Sequence, residues 1–140
     1  MKKQIDQEGQ DWKAKYLRAL ADYQNLERRT HNEKEEVRTF AAEIILTRLL
    51  PILDTLKKAK DHLKDAGLDL TLKELEAVFE ELGVEKIEVF GKPFNPHEME
   101  CVEVVEGGDN QVVEEVLSGY RLRGKVIRVA QVKVGKAKGG

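Results

Sequence analysis

The chain has 140 residues, 36% of them charged and 6% aromatic, with a formal net charge of −2 and an isoelectric point near 6.0. That balance excludes a general nucleic-acid binder, which needs a basic excess or stripe, and a single cysteine excludes an intrachain disulfide and fits a reducing compartment. No apolar run approaches the ~18 residues of a membrane span, and Met1 to Gln10 lacks the apolar middle of a secretory signal, so a soluble cytosolic protein without a membrane partner is expected.

Met1 to Gln10 reads as a frayed, flexible start. Asp11 to Leu50 contains neither glycine nor proline. A helix over that stretch would be roughly 60 Å long at ~1.5 Å per residue. That is too long to be buried against its own chain, so a second copy is the expected partner. With Tyr16 at heptad position a, the a positions are Tyr16, Tyr23, Thr30, Val37 and Ile44. The d positions are Trp12, Ala19, Leu26, Glu33, Phe40 and Thr47. The seam is apolar at its ends, and Thr30 and Glu33 interrupt its middle. The charged run Glu27 to Glu36 keeps good helix formers but predicts loose pairing, and on pattern alone it reads as a solvated helix face.

After Phe40 the apolar residues thicken through Ile44, Ile45, Leu46, Leu49, Leu50, Ile52, Leu53 and Leu56, as for entry into a bundle core. Pro51 removes a backbone donor and predicts a kink or break at residues 50–51. A second helical stretch follows to about Asp65, with Asp54 and Lys58 spaced for an i,i+4 pair. Gly67 is the expected stop, and Thr71 to Glu74 fits a capping box for a further helix. Leu72, Leu75, Val78, Phe79 and Leu82 form its apolar face, and Gly83 ends it.

From Val84 the apolar period changes from about 3.6 to 2. Ile87 and Val89 alternate with charged neighbours. Gly91, Pro93 and Pro96 mark an irregular loop, Met99 to Val105 a strand, and Gly107 to Asn110 a turn. Val112 to Tyr120 reads as one strand region. Leu122 to Val126 reads as a tight hairpin whose return strand carries Val126, Ala130, Val132 and Val134 on one face. Residues 136–140 read as a flexible tail. Helices first and strands second predict an α+β class: a long paired helix over 11–50, short bundle helices over 51–83, and a small β-domain over 84–135.

Signals for catalysis are thin. His97 and Cys101 could pair as base and nucleophile, or as two metal ligands. Zinc would need further ligands, and His31 and His62 lie on distant helical segments. A turn histidine and a small buried cysteine is the simpler reading. No glycine-rich phosphate loop is present. No cofactor, metal site or enzymatic activity is expected, and an interaction protein outweighs an enzyme.

The stretch Phe94-Asn95-Pro96-His97-Glu98-Met99-Glu100-Cys101-Val102 resembles a motif of the GrpE family, nucleotide exchange factors for DnaK-type chaperones. So does Gly119-Tyr120-Arg121-Leu122-Arg123-Gly124-Lys125-Val126-Ile127-Arg128-Val129-Ala130 with its continuation to Val134. Asp22 to Thr30 is similar to the family's long helix, and Leu49-Leu50-Pro51-Ile52-Leu53-Asp54 to its helix break. Cys101 stands where the family usually has alanine, and Lys125 where a well-known member has arginine, which loses the planar fork but keeps the charge. Members commonly carry a longer acidic N-terminal extension.

The resemblance implies a parallel homodimer with paired long helices, a four-helix bundle with two short helices from each subunit, and two β-domains. One β-domain would open the nucleotide-binding domain of the chaperone and release ADP, and the helix pair would act as a thermosensor. Carried onto this chain, the implied chaperone contacts are Phe94, Pro96, Val116, Lys125 and Val134, with Arg28, Arg29 and Phe40 on the long helix. The implied dimer residues are Tyr16, Tyr23, Leu26, Val37, Ile44, Leu49, Leu53, Leu56, Leu72, Leu75 and Phe79. The alternative function is a structural coiled-coil adaptor whose β-domain binds another protein.

Overall fold

A computed structural model describes residues 1–138. Its first element, α1 (Lys2–Leu63), is a helix of 62 residues. It begins well before Asp11, so the expected frayed start is helical. It also passes through Pro51 without a break. A mid-helix proline costs about 3 kcal/mol through its missing donor and its ring clash. Leu46, Leu50 and Leu53 offset that cost. They recur at i, i+4 and i+7 and are 4%, 0% and 1% exposed, which holds this stretch of helix on a core.

α1 ends where Lys64 takes a left-handed conformation, φ 47°. The next helix, α2 (Ala66–Glu81), starts earlier than the expected capping box. Asp65 caps it: its Oδ1 accepts hydrogen bonds from the backbone N–H of Gly67 at 2.7 Å and of Leu68 at 3.1 Å. Gly67 therefore lies in the first turn rather than acting as a stop. Thr71 lies inside the helix and donates its hydroxyl to the Gly67 carbonyl at 2.9 Å. Gly83 ends the helical region as expected, with φ 91°. The expected apolar face divides: Leu72 and Phe79 are buried and Leu75 half-buried, whereas Val78 and Leu82 face solvent.

Six strands follow. β1 (Val84–Lys86), β4 (Tyr120–Leu122) and β5 (Lys125–Arg128) form an antiparallel sheet in the order β1-β4-β5. β2 (Met99–Glu106), β3 (Val112–Leu117) and β6 (Ala130–Lys136) form a second sheet in the order β2-β6-β3. β6 runs parallel to β2 and antiparallel to β3. The α+β class is therefore as expected. The single strand region expected over 112–120 is two strands divided at Ser118-Gly119. A Cβ on Gly119 would lie 2.5 Å from the Ala130 backbone nitrogen, so only glycine permits this approach. The expected return strand is likewise two, parted at Val129, and its halves serve different sheets. The Leu122–Val126 hairpin is present, with Arg123 and Gly124 both at positive φ (48° and 86°), as a two-residue primed turn requires.

The β core consists of Ile87, Val89, Met99, Val112, Ala130, Val132 and Val134, with Phe94 and Val126 packed on it. The turn between β2 and β3 folds over the end of β6, where Gly135 donates its N–H to the Gln111 carbonyl and accepts from Asn110 N–H. Of the tail residues, Lys136 ends β6, and Gly139 and Gly140 lie outside the described residues. The chain divides into two units, Met1–Ala42 and Glu43–Gly140.

Candidate protein-interaction surfaces

In the unit Glu43–Gly140, the Phe90–Met99 loop is shaped by its own backbone. Gly91 N–H donates to the Val112 carbonyl at 3.0 Å, and Phe94 N–H to the Asn110 carbonyl at 2.9 Å. Asn95 organises the following turn: its Oδ1 accepts from His97 N–H at 3.0 Å, and its carbonyl accepts from Met99 N–H at 2.9 Å. Pro96 and His97 are exposed on this turn. Phe94 is half-buried and its ring packs on the β core. Glu98 pairs with Arg121, tying the turn to β4. Cys101 is exposed on β2 rather than buried, and its thiol lies 3.4 Å from the Glu103 carbonyl. Among the described residues, no group of three or more His, Cys, Asp or Glu side chains is placed to hold a metal ion.

The β4–β5 hairpin presents Lys125. Its side chain is 65% exposed and its ammonium pairs with Glu43 of α1 at 2.9 Å. Val116 stands at a bulge in β3 and is 48% exposed. Val134 differs from expectation. It is 8% exposed and belongs to the β core. Alternation along β6 explains this: Ala130, Val132 and Val134 point inward, and Lys133 points out between Glu103 and Glu114. Hydrogen bonds to Glu114 and then Glu103 raise the Lys133 pKa above its ordinary value.

Polar groups tie α1 to its neighbours within the same unit. Asp54 pairs with Arg128 of β5, at 2.5 and 2.9 Å, rather than with Lys58. Lys57 donates to the Tyr120 hydroxyl at 2.9 Å and pairs with Glu76 of α2 at 3.5 Å. Burial works to lower the Lys57 pKa, but the Tyr120 hydrogen bond and the Glu76 charge outweigh it, and the net shift is upward.

The expected dimer residues fall into two groups. Tyr16, Tyr23, Leu26 and Val37 are 64%, 62%, 50% and 67% exposed, and in the second unit Ile44 and Leu49 also face solvent. Leu53, Leu72 and Phe79 are instead buried within their own chain, and Leu56 and Leu75 are half-buried. Arg28, Arg29 and Phe40 are exposed. Among the exposed apolar residues to which the sequence reading gave no role are Phe90, 74% exposed at the start of the loop, and Val104 on β2. The alternation Ile87, Val89 already put Phe90 on the outer face, so its signal was present.

A sequence model of the family described as GrpE matches residues 1–136. The chain is 40% identical to Protein GrpE of Parageobacillus thermoglucosidasius over 131 residues, covering 86% of this chain and 58% of that protein. It is 41% identical to Protein GrpE of Carboxydothermus hydrogenoformans, covering 86% and 67% respectively, and 38% identical to that of Clostridioides difficile, covering 94% and 68%. The chain thus spans 58% of the length of the first of these relatives. The match runs through the long helix, the Asn95 turn and the primed-turn hairpin alike, and the chain belongs to the GrpE family.

Proposed function

We propose that this protein is a cytoplasmic nucleotide exchange factor for a DnaK-type chaperone and performs no bond chemistry itself. The observation that carries the reading is the family match over residues 1–136, which covers the long helix and the β strands together. Two copies pair in parallel through the exposed stripe Tyr16, Tyr23, Leu26 and Val37, with Ile44 and Leu49 continuing it in the second unit. Residues 51–83 contribute to a dimeric bundle through the apolar residues that remain exposed, such as Ile52 and Val78. Residues 84–135 form the chaperone-binding domain, with Pro96, Val116 and Lys125 as exposed contacts and Phe94 shaping the loop from behind. Arg28, Arg29 and Phe40 offer a second contact along the helix.

The factor works by preferring the open form of the chaperone's nucleotide-binding domain over the closed, ADP-holding form. Differential affinity alone shifts that population. Linkage then requires bound nucleotide to weaken the factor's grip, so ATP ejects it. A hundredfold coupling corresponds to roughly 2.7 kcal/mol, within reach of a modest interface. The loose stretch Glu27 to Glu36 makes the helix pair a thermosensor.

Release of a fluorescent ADP analogue from the cognate chaperone tests the reading. Acceleration that saturates with added protein is expected. Dimerisation with no change in ADP release would overturn it in favour of the coiled-coil adaptor.

A further inference from the structure

Within the unit Glu43–Gly140, one turn of α1 reaches two strands through a single polar cluster. Arg128 closes β5, and its guanidinium grips Asp54 with both terminal nitrogens, at 2.5 and 2.9 Å. Two further N–H groups donate to the Ser118 carbonyl, from Nε at 3.0 Å and Nη2 at 2.6 Å. The same guanidinium lies 5.3 Å from the centre of the Tyr120 ring, and the hydroxyl of that ring accepts from Lys57, one turn beyond Asp54. The cluster therefore joins α1, the β3–β4 link, β4 and β5.

We propose that Arg128 is a positioning residue. By gripping Asp54 it holds the β4–β5 hairpin on α1, and so fixes where Lys125 is presented to a protein partner. The proposal rests on the reading of Lys125 as a chaperone contact. Three observations carry it. The hairpin has only the three-residue β1 as a further neighbour in its sheet, so the sheet anchors it weakly. The Glu43–Lys125 pair is too exposed on the lysine side to anchor it, since solvent-screened pairs contribute little. Asp54 and Arg128 are each only 16% exposed, and their bidentate geometry is the strong form of a carboxylate–guanidinium contact. A lysine at 128 would supply the charge without the fork, and could not serve Asp54 and Ser118 together.

The test uses the full chain and three variants: Asp54→Asn, Arg128→Gln, and the two combined. Each single variant leaves one partially buried group without its partner. The double variant removes both charges, and so keeps the experiment informative if a single variant folds poorly. In the singles, amide hydrogen exchange across Tyr120–Arg128 should accelerate about tenfold while Val132 to Val134 stay protected. The concentration needed for half-maximal ADP release from the chaperone should rise about tenfold, with the maximal rate retained, and the double variant should be no worse than the poorer single.

Unchanged hairpin exchange overturns the clamp, and so does equal acceleration of the hairpin and β6, which would mark a general loss of stability. Strictly additive effects in the double variant also overturn it. If the unmodified protein releases no ADP at all, the exchange-factor reading falls instead. Hairpin-selective exchange then decides the clamp alone.

Discussion

Met1–Ala42 and Glu43–Gly140 share one helix but are held in different ways. In the first unit no residue is buried, and Trp12, Tyr16 and Tyr23 are 68%, 64% and 62% exposed. Its internal support is slight: Arg29–Glu33 at 3.7 Å and Glu35–Arg38 at 2.9 Å are solvent-facing pairs of the kind that add about 0.3–0.5 kcal/mol. In the second unit Leu46, Leu50 and Leu53 of the same helix are buried, and the strands carry a buried core of their own. Helical propensity writes both halves, whereas only the second carries, within the chain, the apolar partners that stabilise it. The first has no such partners within the chain, so under the proposed pairing of two copies its order should depend on concentration.

The largest effect should come from Gly135→Ala. An added Cβ would lie 2.3 Å from the Gly108 carbonyl oxygen, against backbone that cannot move aside. A loss of about 3 kcal/mol or more is expected in denaturant unfolding of the β strands. A loss below about 1 kcal/mol would mean that the turn over β6 adapts freely.

Leu50→Ala should follow, at about 2–5 kcal/mol, because the side chain is fully buried. Tyr23→Ala in the first unit sharpens the contrast. It should leave the unfolding of the second unit unchanged and weaken self-association in sedimentation. Equal effects of the two substitutions on the second unit would erase the distinction between the units.

On heating, circular dichroism should record loss of helix from the first unit before the β strands melt, at a midpoint that rises with protein concentration. One coincident transition would sink the thermosensor reading.

The smallest effect concerns Asp69. Hydrogen bonds from Lys60 and then Lys73 hold its carboxyl below the ordinary 3.8. A folded pKa below the unfolded one adds stability above 3.8, and that stability disappears as pH falls through the depressed value. Asp69→Asn should therefore lower the thermal midpoint slightly at neutral pH. The gap from the unmodified protein should close on acidification well below 3.8.

Several parts of the fold were legible because they depend on near neighbours. The change of period at Val84, the stop at Gly83 and the primed turn at Arg123-Gly124 each follow from a few adjacent residues. The exposure of the proposed contact residues was legible in part. Pro96, Val116 and Lys125 are exposed, but Val134 is not, because strand alternation turns it inward. Leu53, Leu72 and Phe79 have the apolar character of dimer residues and are buried within one chain. Composition cannot distinguish a core within one chain from a seam between two.

Residue order alone determined the long helix, the helices-then-strands division and the motifs that mark the family, since these rest on local propensity and short spacing. Tertiary structure decided the continuity of α1 through Pro51, the insertion of β6 between β2 and β3, and the choice of Arg128 over Lys58 as the partner of Asp54. Asp54 and Arg128 are 74 positions apart. No periodic signal spans that distance. Their pairing appears only once the tertiary fold has set β5 beside α1, where partial burial makes a bidentate contact worth more than an exposed i,i+4 pair.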